Sequence, residues 1–209
     1  MKGALFVVTA PSGAGKTTIL DAVLEQTDNL EYSISATTRP PRPGEVDGQD
    51  YFFLSREDFE NKEKEGNFLE SARVYDYYYG TPLDYIESEL KKGCDIILDI
   101  DVQGALSIKS QNYPAVYIYI LPPSLQVLRR RLEGRKTDSP EVIEKRLAEA
   151  KKEMSYLEKY DYSVINDELD VAIEDIKSII RAERCRTKRR SGIVRRIVGS
   201  PQRPGEETS

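Results

Sequence analysis

The sequence predicts an α/β fold in which a parallel β-sheet carries helices on both of its faces. Apolar runs without polar alternation are typical of strands that are buried on both sides. Such runs alternate here with segments whose apolar residues recur at helical spacing, which is typical of a parallel sheet with helical crossovers. A chain of 209 residues is long enough for one such domain with inserted lobes.

The predicted core strands share an apolar, β-branched composition and cover residues 3–9, 94–100, 115–120 and 162–165. The predicted helices carry apolar stripes and cover residues 16–26, 124–133 and 140–157. Between residues 33 and 85 the chain is rich in Tyr, Pro, Gly and charge, with a turn-rich loop at 39–51 and a strand and loop at 67–80. The expected division is a core of residues 1–32, 86–122 and 154–182, a lobe at 33–85, a helical lid at 123–153 and a basic, flexible tail at 183–209.

The composition excludes several classes of protein. The formal net charge is −5, so nucleic acid is not the expected partner. No apolar run reaches the roughly 18 residues that span a bilayer, so no membrane partner is expected either. Two cysteines, Cys94 and Cys185, exclude a disulfide scaffold and favour a reduced, cytoplasmic setting. Histidine is absent, which excludes His-based triads, His general acids and His-bearing zinc sites.

A phosphate-binding loop follows the first predicted strand and opens the first helix. It consists of Ala10, Pro11, Ser12, Gly13, Ala14, Gly15, Lys16 and Thr17, which is a P-loop with Ala in place of the first Gly. Its backbone N–H groups and the helix N-terminus would face a β-phosphate, Lys16 would bridge the β- and γ-phosphates, and Thr17 would ligate Mg²⁺. The alternative is a plain Gly-rich turn.

A second phosphate site is predicted in the inserted lobe. Arg39 and Arg42 lie on a proline-rich loop, and guanidinium forks match phosphate oxygens, to which the Tyr51 phenol could add a donor. Further on, Glu70 interrupts a mostly apolar stretch. One carboxylate can accept the adjacent N1–H and N2–H₂ groups of guanine, whereas adenine offers no such pair.

The sequence resembles the guanylate kinases from about Lys2 to Arg181. The most specific segments are those at 35–51, 68–70, 78–81 and 97–104. The resemblance implies a P-loop NTPase core with a GMP-binding lobe, and a reaction in which ATP phosphorylates GMP, and dGMP as well, with Mg²⁺. It implies phosphate ligands at Arg39, Arg42, Tyr51 and Tyr79, and guanine ligands at Ser35, Glu70, Thr81 and Asp101.

Two carboxylates follow the predicted strand at 94–100, where ligands of open α/β sheets bind. Asp99 resembles a carboxylate that supports Mg²⁺ through water. Asp101 lies on the same side of the strand and could reach the guanine amino group. The alternative is that these acids cap the next helix.

Arginines crowd the predicted lid. By the resemblance, Arg131, Arg135 and Arg146 fold over the phosphates and join Lys16 in catalysis, whereas Arg129 and Arg130 fit a solvated face better. Asn166 resembles part of an adenine-side loop, although a plain turn is an equal interpretation.

Two other functions remain as alternatives. One is a kinase for another phosphorylated small molecule, such as a ribosyl phosphate, which would not need Glu70 and Thr81. The other is a non-catalytic guanylate-kinase-like module that binds proteins, in which the P-loop lysine tends to be lost. The oligomeric state cannot be derived from the sequence. For the basic tail we favour a solvated terminus over a binding segment, because no aromatic residue interleaves with its charges.

Overall fold

The structure is a computed structural model that describes residues 2–74, 76–134, 138–190 and Ile197. Its strands are β1 (Leu5–Thr9), β2 (Leu30–Tyr32), β3 (Ala36–Thr37), β4 (Phe52–Phe53), β5 (Phe68–Val74), β6 (Tyr77–Pro82), β7 (Asp95–Asp99), β8 (Val116–Leu121) and β9 (Tyr162–Ile165). Its helices are α1 (Lys16–Glu25), α2 (Arg56–Lys64), α3 (Leu83–Lys92), α4 (Val102–Ser110), α5 (Leu125–Gly134), α6 (Pro140–Met154) and α7 (Leu169–Arg184). One turn of 3₁₀ helix covers Leu157–Lys159.

The core is a parallel sheet of five strands in the order β2-β7-β1-β8-β9. Every residue of β1 is buried, as its unbroken apolar run predicts. Helices α1 and α7 pack on one face through Ile19 and Ile176, and α3 and α4 pack on the other through Ile86 and Ile108. The predicted fold class is therefore confirmed.

A second, smaller sheet occupies the region of the predicted lobe. Its four strands have the order β4-β3-β6-β5, with β3 and β4 parallel and the remaining pairs antiparallel. The residues between β2 and β3 connect the two sheets. The N–H of Ser33 donates to Ile97 O of the core sheet at 2.8 Å, and Ser35 O accepts from Phe52 N of the small sheet at 2.9 Å. Residues 33–35 therefore attach to both sheets.

The region 67–80 differs from the prediction, because its second half is the strand β6 and not a loop. The tyrosines at its start suit a pleated, half-buried surface. Gly80 is a buried strand position paired with Ser71. A Cβ at Gly80 would lie 3.0 Å from the Phe68 ring and 3.1 Å from the Phe59 ring, so close packing favours glycine there. The prediction also missed β2, a three-residue strand in which only Leu30 is buried.

Helices α5 and α6 form an antiparallel pair with a small apolar core of their own, in the region of the predicted lid. Its buried members are Leu128, Leu132, Ile143, Leu147 and Ala150. The last helix, α7, continues to Arg184 and thus enters the predicted tail, and Glu183 is only 1% exposed. Among the described residues, no helix has both the length and the apolar character that a membrane span requires.

Candidate active site

The P-loop leaves β1 and turns into α1 with the backbone conformation that glycines allow. Gly13 and Gly15 have φ angles of 91° and 93°, whereas Ala10 is not among the residues with positive φ. Alanine at the first position of the motif is therefore compatible with the loop. A Cβ at Gly13 would also lie 2.9 Å from a methyl group of Leu132, because α5 packs against the loop.

Asn166 and Arg131 hold the P-loop from the side. The Asn166 amide donates to Ala14 O at 2.7 Å, and Arg131 donates to Ala14 O at 3.3 Å and to Asn166 O at 2.9 Å. Asn166 is 5% exposed, and any side chain at Gly15 would collide with it. In this structure both residues therefore fix the shape of the loop.

Lys16 lies between the P-loop and the end of the core strand β7. Its ammonium forms an ion pair with Asp99 and lies 3.5 Å from Ile100 O. Tyr32, at the end of the core strand β2, is 44% exposed, and its hydroxyl lies near the Asp99 carboxylate. Burial of that hydroxyl, together with the Asp99 charge, raises the pKa of Tyr32 above its ordinary value. The Asp99 carboxylate thus lies between the P-loop lysine and strand β2 of the core sheet.

The predicted phosphate ligands of the lobe lie near one another, except for Arg42. The Arg39 guanidinium donates to Glu45 at 2.8 Å, lies near the Tyr79 hydroxyl and stands 5.4 Å from the centre of the Tyr51 ring. The rings of Tyr51 and Tyr79 meet edge to face at 6.1 Å. The bond to Arg39 holds the pKa of Glu45 below its usual value. Arg42 is exposed, and its side chain makes no hydrogen bond to the rest of the described chain.

Glu70 and Thr81 face each other across the β5–β6 hairpin. Their backbones are paired in register, and the Thr81 hydroxyl donates to Glu70 Oε1 at 2.7 Å. Thr81 is fully buried. Burial raises the pKa of Glu70, the bond from Thr81 lowers it, and the nearby Asp101 charge raises it further. The Glu70 carboxylate is therefore partly desolvated, and the bond from Thr81 orients one of its oxygens.

The Asp101 carboxylate caps a helix and also lines a cavity. One of its oxygens accepts from Gly104 N at 2.8 Å and caps α4, as the alternative interpretation predicted. The same side chain lines the cavity beside Glu70. A cap uses one carboxylate oxygen, so the other remains able to accept a bond from a ligand.

A cavity of about 230 Å³ brings most of the lobe residues together. Of the predicted residues, it is lined by Ser35, Tyr51, Glu70, Tyr79, Asp99 and Asp101. It is also lined by Tyr32, Ser33 and Asp50, which the sequence did not single out. The signal that could have found Ser33 is its position two residues before Ser35, on the stretch that leaves a core strand at its carboxyl end.

The arginines of the predicted lid have different contacts. Arg146 donates to the Ser12 hydroxyl of the P-loop at 3.3 Å and pairs with Asp138. Arg129, for which a solvated face was favoured, forms an ion pair with Glu144 at the surface. Arg135 lies outside the described residues. Thr17 is exposed on the first turn of α1.

Known proteins resemble this chain over most of its length. The family model described as guanylate kinase matches residues 2–183. A guanylate kinase of Caldanaerobacter subterraneus subsp. tengcongensis is 50% identical over 196 residues, which are 94% of this chain and 95% of the relative. One from Thermotoga maritima is 46% identical over 197 residues, with 94% and 95% covered. The crystal structure of guanylate kinase from Anaplasma phagocytophilum superposes with a TM-score of 0.71 at 34% identity, covering 96% of this chain and 95% of that one. The chain belongs to the guanylate kinase family.

Proposed function

We propose that this chain transfers the γ-phosphoryl group of ATP to GMP, giving ADP and GDP, with the residues described above in the roles that follow. The observation that carries the proposal is the position of Glu70. This carboxylate is half-buried and oriented by Thr81, in the same cavity as Asp99, the ion-pair partner of the P-loop lysine. A base reader and a phosphate-binding lysine thus lie at the two ends of one site.

The ATP half is built on the P-loop between β1 and α1. The N–H groups that follow Gly13 and the N-terminus of α1 face an anion at no conformational cost. Lys16 neutralises charge on the β- and γ-phosphates, for which it exchanges part of its contact with Asp99. Asn166, whose amide is bonded to the loop, borders the place proposed for the adenosine.

The residues present fit a bound Mg²⁺ ion. The Thr17 hydroxyl and the Asp99 carboxylate are oxygen donors next to the P-loop, and Mg²⁺ in kinases takes most of its ligands from phosphates and water. No cluster of three or more acidic or thiol ligands occurs in the described part of the chain, which suits an ion that arrives with its nucleotide. When bound, the ion neutralises charge on the transferring phosphates.

The GMP half is built on the small sheet. Arg39, Tyr51 and Tyr79 form a cluster of donors for the monophosphate, and Arg42 completes it when its exposed side chain turns inward. Glu70 accepts two N–H bonds from guanine, with Ser35, Thr81 and Asp101 around the same base. Arg39 donates to Glu45 through one nitrogen, so other N–H donors of its guanidinium can bind the phosphate while Glu45 orients it.

The transfer itself needs no general base. A deprotonated oxygen of the GMP phosphate attacks the γ-phosphorus in line, the new O–P bond forms, and the bond to the β–γ bridging oxygen breaks with its electron pair going to ADP. Lys16 and the lid arginines Arg131, Arg135 and Arg146 counter the charge of the transferring group. This chemistry is consistent with a chain that has no histidine.

The division into core, GMP-binding lobe (33–85), lid (123–153) and tail is part of the same proposal, as are the use of dGMP and a cytoplasmic setting. Closure of lobe and lid would exclude water from the transfer. The two alternative functions are not favoured. A ribosyl phosphate kinase has no need of a half-buried carboxylate that binds a base, and a binding module has no need of the Lys16–Asp99 pair.

The test is an ADP-release assay with ATP and a panel of monophosphates, run with and without Mg²⁺. We expect turnover with GMP and dGMP, little with AMP, and loss of activity when the metal is chelated. Equal rates with GMP and AMP would contradict the role of Glu70. Turnover of ribose phosphates in preference to GMP would contradict the function itself.

A further inference from the structure

The Ser33 hydroxyl is a buried polar group without a partner. Ser33 is 2% exposed, and its Oγ makes no hydrogen bond with any described residue. Its backbone is fixed, since Ser33 N donates to Ile97 O at 2.8 Å. Buried hydroxyls are nearly always bonded, so an unbonded one in the wall of a cavity points to a ligand.

The cavity offers many acceptors and few free donors. Asp50, Glu70, Asp99 and Asp101 all line it, and carboxylates only accept when ionised. Guanine, however, carries two neighbouring acceptors, O6 and N7, along one edge. These atoms need donors that the carboxylates cannot provide.

The other hydroxyl donors of the described lining have different surroundings. The Tyr32 hydroxyl lies near the Asp99 carboxylate, and Tyr51 and Tyr79 lie beside Arg39, where we place the monophosphate. The hydroxyls of Ser33 and Ser35 remain for the base. Ser33 and Ser35 are two residues apart, line the same cavity, and make no side-chain hydrogen bond within the described chain.

We propose that the Ser33 hydroxyl donates a hydrogen bond to the O6/N7 edge of the bound guanine, beside Ser35. This inference rests on the proposed function and adds a specificity residue to it. The Ser33 backbone bonds to the core sheet and the Ser35 backbone bonds to the small sheet, so the two serines bind the base from both sheets. The bond satisfies in the complex the hydroxyl that is unsatisfied without ligand, and it therefore favours the bound state.

The test compares wild type, Ser33→Ala and a control, Ser163→Ala, which changes an exposed serine on β9. Each protein is assayed with GMP, with 7-deaza-GMP, which lacks the N7 acceptor, and with 6-thio-GMP, whose sulfur accepts weakly. We expect Ser33→Ala to lower kcat/KM for GMP about 5- to 10-fold, with an unchanged KM for ATP. With one of the two analogues this difference from wild type should fall below about two-fold, because the missing acceptor has already removed the bond.

Thermal unfolding supplies the second readout. Without ligand, Ser33→Ala should unfold at the wild-type temperature or above it, since it removes an unsatisfied buried hydroxyl, while GMP should raise its unfolding temperature less than that of wild type. Ser33→Cys, which keeps a side chain of similar shape with a weak donor, should change GMP kinetics in the same direction.

An equal loss with GMP and both analogues, or no loss at all, would overturn the contact while leaving the GMP kinase activity standing. A wild-type protein that turns over none of the three substrates would overturn the proposed function, and the role of Ser33 with it.

Discussion

Thr81 and Glu70 are backbone partners on adjacent antiparallel strands, and the threonine hydroxyl donates to the Glu70 carboxylate at 2.7 Å. The bond does two things at once. It orients the carboxylate, and it opposes the rise in the pKa of Glu70 that burial causes. Through this bond Thr81 can control how well Glu70 binds the base.

Replacement of the hydroxyl tests that relationship. Thr81→Val keeps the shape, so the fold should persist, but the pKa of Glu70 should rise further because the bond that lowers it is lost. We expect kcat/KM for GMP to fall about 10-fold at neutral pH, and the fall in activity on acidification to begin at a higher pH than in wild type. Thr81→Ser, which keeps the donor, is the matched control. Identical pH profiles for Thr81→Val and wild type would contradict the role.

Glu70→Gln should separate stability from activity. The pKa of Glu70 is raised in the folded chain, so the folded state binds a proton more tightly than the unfolded state. Stability is therefore lost as the pH rises from the usual carboxyl value through the raised one. Glutamine does not ionise, so the variant does not lose stability in this way. The free energy of unfolding of Glu70→Gln at neutral pH should therefore be no lower than that of wild type. Its kcat/KM for GMP should fall about 100-fold, because two bonds to a carboxylate are weakened. Chemical denaturation and the ADP-release assay measure the two effects.

Lys16→Ala should abolish turnover without unfolding the chain. The lysine lies on the first turn of α1 and belongs to none of the apolar clusters of the described core, so its removal leaves their packing intact. We expect kcat to fall about 10³-fold or more, because charge on the transferring phosphoryl group is no longer neutralised. Lys91→Ala, at the exposed end of α3, should be neutral. Retained activity with a wild-type circular dichroism spectrum would refute the assignment of the P-loop.

The lid arginines provide a matched pair of variants on one helix. Arg131 reaches the P-loop carbonyl of Ala14, whereas Arg129 is bound to Glu144 at the surface. We expect Arg131→Ala to lower kcat about 10²- to 10³-fold and Arg129→Ala to change it less than about two-fold. Single-turnover kinetics would show whether the loss lies in the chemical step. Equal effects of the two changes would contradict a specific role of Arg131.

Arg184 should matter for stability alone. Its guanidinium donates to the Asp95 carboxylate at 2.6 Å, and the other oxygen of Asp95 accepts from Ala4 N at 2.6 Å. The Asp95 side chain is 5% exposed, so Arg184→Ala leaves a buried charge without its cation and should lower the free energy of unfolding by about 2 to 3 kcal/mol. Arg181→Ala, an exposed change one turn earlier, is the control. Because the pair lies at the amino ends of the core strands, KM for both nucleotides should stay within about two-fold of wild type. A large rise in either KM would show that this end of the sheet reaches the active site.

The P-loop and the parallel core could be predicted from the sequence, because their signals are local. Lys16 follows glycine directly after a buried strand, and the apolar runs of β1 and β7 have no polar interruptions. The pairing of Glu70 with Thr81 could not, since it depends on the register of a hairpin whose second strand resembles a loop. The role proposed for Ser33 could not be predicted either. It depends on the position of Ser33 beside β7, and the neighbouring residues in the sequence do not reveal that contact.

The hydrogen bond from the Asn166 amide to Ala14 O joins positions that are 152 residues apart in the chain. The ribosome therefore makes the P-loop long before it makes the amide that closes against it. A nascent chain that stops before β9 would carry the glycines and the lysine of the loop without the side chain that completes them. Nucleotide affinity should thus be acquired only after β9 has joined the edge of the sheet.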